Sequence, residues 1–494
     1  QPNRNISHDE LWSGRERRSD LNNKYIFRAL IRAIERTDHK ATPEVDLFVE
    51  LIYPIAFPAK SGKFESAGTQ ALMGFLELHK LAPVMRSNNT LYSELYDPSS
   101  RTLLNDLDLS AAGLDDHSLI ALSSVKHIRG NLKVRLHDSF NAMGALNGIE
   151  SVSGTLSITG RGAKLLPDFN TLKEVGKLEI GDFTTLADIS GFNRLNTADS
   201  IVIDKNSNLE RISGFNALFN IRDTLSISEN PALSAISGFS KLAHISEGSL
   251  QIVNNPHLES ITGLSYLQSV KDTTAIDQCP KLSNIQFLSD LSETTHLLLR
   301  KLKLGSAAPL RELFRDRPEF PGSIKILSCP ISDLNFMSGV SRVGSSLYIS
   351  NCSLSDLSGL SELTNVGASF SLNSNKIESL LPLSKLESVN GIIGLAANSL
   401  KSLAGLENLN QLRTVKWNGK RSTIFVFDNP DLQDIKALQN ITARDNQLIF
   451  MKDPDQVFSI KPSANSDFSG NHIQVLDREH GTFLPVNSVC EDSP

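Results

Sequence analysis

Aromatic residues are few, 6% of 494, and only two of them are tryptophan. Cysteine is scarcer: Cys279, Cys329, Cys352 and Cys490 make four, and none stands in a CxxC or a Cys/His pair at zinc spacing. That excludes a disulfide-stapled mini-domain and gives no reason to expect a metal or any other cofactor. Long apolar runs are missing as well. The best, 47–59, contains Glu50 and two prolines and cannot span a bilayer. No signal-peptide pattern is visible. The chain begins with Gln1 rather than Met, so loss of an upstream piece is expected, either a secretion signal or a trimmed end.

Strong charge of one sign is also absent. A net charge of -6 argues against a protein that holds nucleic acid on a basic surface. Catalytic patterns are missing too: there is no GxSxG elbow, P-loop or HExxH. Eleven histidines are scattered outside any motif. Asp115 and Asp116 beside His117 have the chemistry for acid–base work, but they equally cap the helix-like return of an early coil. Regular coils leave little room for a deep pocket, so no enzymatic activity is expected.

What is present is a repeat. Leu178-Glu-Ile180, Ile201-Val-Ile203, Leu225-Ser-Ile227 and Leu250-Gln-Ile252 start 23, 24 and 25 residues apart. Leu347-Tyr-Ile349, Phe370-Ser-Leu372 and Ile393-Gly-Leu395 continue at spacings of 23. An apolar-x-apolar triplet has period 2, the signature of a short strand with two side chains inward and one outward. Soon after each triplet comes Asn206, Asn230, Asn255, Asn375 or Asn398, then Leu or Ile, then a small-Gly-apolar turn such as Ser213-Gly214-Phe215. Backbone groups inside a bend must be paired. An inward Asn supplies both donor and acceptor, so these residues are expected to form a ladder from coil to coil. Cys279, Cys329 and Cys352 fall at or beside the same column and are expected to be buried, unpaired thiols.

One coil cannot bury its own apolar side, so stacking is obligatory. The pattern predicts a right-handed, leucine-rich-repeat-like β-solenoid with a parallel sheet, about fifteen coils of roughly 22–25 residues over 103–450 and a length of about 70 Å. The run 146–288, in phrases such as "GTLSITG" and "SLQIVNNPHLESITGLSYLQSV", resembles the leucine-rich-repeat-like L domains of growth-factor and insulin-type receptors. The run 347–412 resembles bacterial internalin-type leucine-rich repeats. The latter resemblance implies a helical cap before the repeats and binding to host surface proteins. The receptor family's Cys-rich modules and capping disulfides are missing from this chain.

Residues 1–102 do not repeat. Ile26, Phe27, Leu30, Ile31 and Ile34 make a helical stripe, Thr42-Pro43-Glu44 is a helix start, and 65–83 reads as a third helix stopped before Pro83. A helical N-terminal domain or cap is expected, with a chaperone-binding or secretion domain as the alternative. Residues 451–494 are expected to be a C-terminal cap and tail. Insertions interrupt the coils near 300–322 and 413–424. The first is expected to form a short basic helix carrying Arg311 and Arg315, preceded by Arg300, Lys301 and Lys303; its plainer reading is a solvated face. The second, "RTVKWNGKRSTI", contains Asn418-Gly419, a strong hairpin signal, with Lys416, Trp417, Lys420 and Arg421 at its tip. Trp417 either anchors a partner or lids an adjacent coil.

The outward strand positions read Ser157, Glu179, Val202, Ser226, Gln251, Ala275, Leu298, Lys325, Tyr348, Ser371, Gly394, Val426 and Ile449. The row is neither a Thr ladder of the ice-binding kind nor basic enough for nucleic acid. It suits a protein or glycan partner, with Tyr348 among the candidate contacts. The leading expectation is a secreted or surface recognition protein. The alternative is a secreted bacterial effector or toxin whose solenoid targets a separate activity, held in the N-terminal region or in another part of the protein. An extracellular, cell-surface or host-delivered location fits both, and a cytoplasmic one is not excluded.

Overall fold

The computed structural model describes residues 143–409 without a break. Around that stretch it describes 96–97, 100–104, 106–109, 125–136, 411–412, 415–417, 420–422, 424–426, 428–435, 437, 447–452, 472–477 and 482–485. The expected N-terminal helices and Asp115-Asp116-His117 lie outside the described residues. The chain divides into two compact units, Gln1–Ala232 with Ile236–Leu242, and Leu233–Ala235 with Ala243–Pro494.

In the first unit every triplet sits in a strand paired in parallel with its neighbour one coil away. Leu132–Leu136 pairs with Ser151–Gly160, then come Glu174–Gly181, Thr197–Asp204 and Asn220–Ser228. Leu156, Leu178, Ile201 and Leu225 stand in register. Strand alternation sends Leu178 and Ile180 fully into the core and leaves Glu179 between them half-exposed. A second wall is begun by Asp188–Ile189, which pairs in parallel with Arg211–Ile212.

The small-Gly-apolar turn closes this wall in an unexpected way. Phe169, Phe192, Phe215 and Phe239 are fully buried and stack in a column, with centroids 5.0, 5.1 and 4.7 Å apart. The coil separation of parallel strands, about 4.8 Å, is also a good stacking distance for offset rings. Each of the four has positive φ, between 44° and 64°, which an aromatic residue rarely adopts. The turns also run very close together. A Cβ on Gly214 would overlap the Gly191 carbonyl oxygen, and one on Gly238 would overlap that of Gly214.

The second unit keeps the strand wall and changes the return. Ser249–Val253, Thr273–Asp277, His296–Arg300, Ile324–Leu327, Leu347–Ser350, Phe370–Ser371, Ile393–Gly394 and Ile424–Phe425 pair in parallel, each with the next. The return carries single 3-10 turns at Gln286–Leu288, Ala308–Leu310, Asn335–Met337, Ser358–Leu360 and Leu381–Leu383. Each buries an apolar residue such as Leu288, Leu310 or Met337. Two-residue strands from Glu319–Phe320 to Gln411–Leu412 form a second parallel set just before the triplets. Each unit is thus a parallel β-solenoid of the leucine-rich-repeat kind, with short strands on one wall and turns or 3-10 segments on the return.

Three expectations need correction or refinement. The segment 300–322 contains the expected short helix and packs it into a long return. Its one-turn helix, Arg311–Phe314, buries Leu313 and Phe314, and the Phe314 ring lies 5.4 Å from that of Phe320. In the coil after the second insertion, Ile424 pairs with Ile393 and Phe425 with Gly394, so Phe425 faces outward and Val426 is buried, 1% exposed. The assignment of Val426 to the outward row is a slip of one residue, and such a slip exchanges the two faces of a strand. Last, Gln447–Lys452 pairs in parallel with His472–Asp477, which pairs antiparallel with Thr482–Pro485, a three-stranded sheet of its own. Leu448-Ile449-Phe450 thus lies in a strand that adjoins Ile424–Phe425 without extending its sheet.

Candidate recognition surface

Polar side chains in the bends are consumed by the fold. Asn206, Asn230 and Asn255 are fully buried, and Asn398 is nearly so. Asn206 Nδ2 donates to the Ile180 carbonyl at 3.1 Å, and its Oδ1 accepts from the Phe183 N–H at 3.2 Å. One coil on, Asn230 Oδ1 accepts from the Asn206 N–H at 3.1 Å and from its Nδ2 at 3.0 Å, while Asn230 Nδ2 donates to Ile203 O and Ser228 O. Asn375 and Asn398 repeat the geometry: they accept from Cys352 N and Ile377 N and donate to Ile349 O and Leu372 O. Asn429, 1% exposed, belongs to the same column and was hidden by the irregular spacing before it. Leu302 and Phe183 occupy the column without an amide.

The three cysteines fill the gap between the Asn runs. Cys279, Cys329 and Cys352 are free thiols. Each Sγ lies near the carbonyl that an Asn amide would engage: Ile252 O at 3.9 Å, Leu299 O at 3.7 Å and Ile326 O at 3.6 Å. Burial pushes the Cys279 thiol up to about 11 and the Cys329 thiol up to about 12, and it raises Cys352 as well. Such thiols are inert structural groups rather than nucleophiles.

Ion pairs stitch successive coils in the same way. In the second unit Lys271–Glu293, Lys281–Glu259, Lys385–Glu362 and Lys401–Glu378 join residues 22 or 23 apart at 2.7–3.3 Å. None of the eight residues lies in a triplet strand. In the first unit Glu150 bridges Lys126 and Lys173, and those two ammonium groups hold its carboxyl down to about 2.

The strand face of the second unit is different. Its outward row runs Gln251, Ala275, Leu298, Lys325, Tyr348, Ser371, Gly394 and Phe425, aligned by the parallel register. Leu298, Lys325, Tyr348 and Phe425 are half-exposed, whereas Ala275, Ser371 and Gly394 are small and buried. Lys325 Nζ lies 5.7 Å from the centroid of the Tyr348 ring, a cation–π contact. Arg300 makes a two-pronged pair with nearly buried Asp277, at 2.7 and 2.5 Å. Among the described residues, Lys301, Lys303 and Lys325 have no carboxylate at ion-pair distance.

The other candidate contacts are dispersed. Arg311 opens the return helix and Arg315 follows its end in extended backbone, pairing back with Glu312. Val415–Trp417 and Lys420–Ser422 form the expected antiparallel hairpin, with Trp417 opposite Lys420 and Lys416 opposite Arg421. The side chains of that hairpin lie outside the described residues. Sequence reasoning set Tyr348 in the outward row and Arg300 only before the segment 300–322, and it left out Phe425 because its register slipped by one. Among the described residues no group of three or more His, Cys, Asp or Glu could hold a metal ion, and no helix is long and apolar enough to cross a membrane.

No family model matches the chain, and no curated protein does. Solved structures with similar stretches include an internalin (inlF) of Listeria monocytogenes at 13% identity, covering 79% of this chain and 94% of that one, with a TM-score of 0.38. Internalin C2 (inlC2) of the same organism is 18% identical over 56% of this chain and 83% of its own, with a TM-score of 0.23. TLR13, in a complex with ssRNA13, is 14% identical over 75% and 79%, with a TM-score of 0.28. The description of the fold stands on the strand pairing, the Asn ladder and the return turns.

Proposed function

We propose that this protein is a non-enzymatic recognition solenoid that holds another macromolecule, a protein in the first place, on the strand face of its second unit. The observation that carries the reading is the division of labour among side chains. The amides and thiols of the bend column and the paired charges of the returns are spent on joining coils, whereas Leu298, Lys325 and Tyr348 stand half-exposed in the outward row of parallel strands. Sites on regular strands are held more firmly than sites on loops. Aromatic and basic residues of this kind dominate interface energies. A glycan is the lesser alternative, since the row has few hydroxyls beyond Tyr348 and Ser371. A secreted, cell-surface or host-delivered setting belongs to the same proposal.

The test is retention of purified ectodomains and secreted proteins on an array by the whole chain. Leu298→Ala with Tyr348→Ala should abolish retention of the bound protein while leaving the melting temperature unchanged. If nothing is retained, or if retention ignores both substitutions, the reading fails. The non-repeating residues 1–102 favour a second reading, in which the solenoid targets a separate activity in that region. Removing 1–102 would then spare binding and abolish the effect on target cells.

A further inference from the structure

We infer that the strand face between Leu298 and Phe425 docks an extended acidic segment of a partner protein, one that carries an aromatic or aliphatic anchor among its carboxylates. The inference rests on the recognition reading above and names the chemistry of the partner.

Charge points to the acidic part. In the first unit some charges on the strand face are matched locally, Lys177 with Glu179 and Asp204 with Lys205, while exposed Lys133 and Arg135 have no carboxylate at ion-pair distance among the described residues. In the second unit the one nearly buried carboxylate on this face, Asp277, is already held by Arg300. Lys325 stands in the outward row, and Lys301 follows the adjacent strand, its N–H donating to Leu327 O at 2.9 Å. Lys303 lies two residues further on. An uncompensated positive stretch on a chain of net charge -6 is a local feature, and its complement is a run of carboxylates. The Tyr348 ring under Lys325 limits the freedom of that ammonium group, so less ordering is left for binding to impose.

Shape points to the anchor. Tyr348 and Phe425 stand three strands apart, about 14 Å at the parallel spacing. The two outward positions between them are Ser371 and Gly394, the smallest in this part of the row. A Cβ on Gly394 would meet the Asn373 amide at 2.8 Å, so that amide covers the glycine. Asn373 Oδ1 accepts from the Ala396 N–H at 2.8 Å, which leaves Nδ2 to donate to a ligand carbonyl or carboxylate. The result is a trough with aromatic ends, a small polar floor and a cation at one rim. A polyanion read through its backbone charge alone would need cations along the whole trough, and none follows Lys325 in the row.

The experiment pans a random dodecapeptide phage library on the whole chain and measures the enriched peptides by fluorescence anisotropy. Sequences pairing Asp or Glu clusters with Trp, Phe, Tyr or Leu are expected. Lys325→Glu and Tyr348→Ala should each weaken them at least about tenfold. Lys325→Gln should act in the same direction, Tyr348→Phe should bind nearly as the parent does, and Arg311→Glu on the return wall should have no effect. Melting curves confirm that each variant is folded. The inference is overturned if no peptide is enriched, if the enriched peptides lack acidic residues, or if they ignore Lys325→Glu. It is also overturned if the Lys325→Glu-sensitive ligand is heparin, single-stranded RNA or a second copy of the chain. Those results leave the recognition reading standing, because that reading fails only when the protein array retains nothing or retention ignores Leu298 and Tyr348.

Discussion

At the scale of the residue, the bend column decides how much each coil depends on its neighbour. Asn230 joins the backbone of two coils through one amide: it donates to Ile203 O and Ser228 O and accepts from Asn206 N. Asn230→Leu fills the same space but strands those groups away from water. The expected cost is about 1–3 kcal/mol, read as a lower denaturation midpoint; an unchanged midpoint would mean the ladder is not structural. The thiols of the column make a prediction about pH. The folded state raises Cys279 and Cys329 from 9.0 to about 11 and about 12 because burial disfavours the thiolate. Their contribution to stability is therefore whole below pH 9 and is lost as pH climbs through 11 to 12. The melting temperature should hold between pH 7 and 9 and fall above that range, less steeply in Cys279→Ala. At pH 8 a thiol reagent should leave buried Cys279 and Cys329 unlabelled until denaturant is added, whereas Cys352, which is half-buried rather than buried as expected, should react first.

At the scale of the element, the Gly-Phe turn of the first unit is the tightest joint. Gly214→Ala pushes a methyl group into the Gly191 carbonyl, and the coils cannot separate without unstacking Phe192 from Phe215. A loss of about 3 kcal/mol, the upper end of overpacking costs, is expected in equilibrium unfolding. Substitution at Gly305, where a Cβ meets nothing within 4 Å, should cost far less. Much of this was legible beforehand. Constant spacing exposed the triplets and the Asn column, because each coil must solve the same backbone problem. The phenylalanine column was not legible as a stack, since its turn reads as an ordinary small-Gly-apolar phrase and positive φ leaves no mark on composition. The change from a strand-built return to a 3-10 return also escaped, for both returns bury apolar residues at similar positions in the coil. The register slip at Val426 has a plain cause: the hairpin at 415–422 destroyed the spacing, and "IFVF" offers two apolar frames. That hairpin itself was foreseen from Asn418-Gly419. If Trp417 anchors a partner, Trp417→Ala will weaken binding by about 2 kcal/mol with stability intact. A matching fall in stability would make it a lid.

At the scale of the whole molecule, the candidate site was only half readable. Lys325 and Tyr348 could be placed in one outward row by periodicity alone, whereas Arg300 was read only as leading into the segment 300–322. Their roles could not be read in this way, because which charge finds a partner depends on the neighbouring coil: Arg300 is taken by Asp277, and Lys325 is not. The central claim is that the strand face of the second unit, and not the return wall, is where a ligand sits. Covalent side-chain footprinting of the chain with and without the protein retained on the array tests it most directly. Lys325 and Tyr348 should lose most of their labelling in the complex, whereas Lys385 and Lys401, paired on the outer side of the coils, should keep theirs. Protection of Lys385 and Lys401 with Lys325 and Tyr348 still fully labelled would contradict the account.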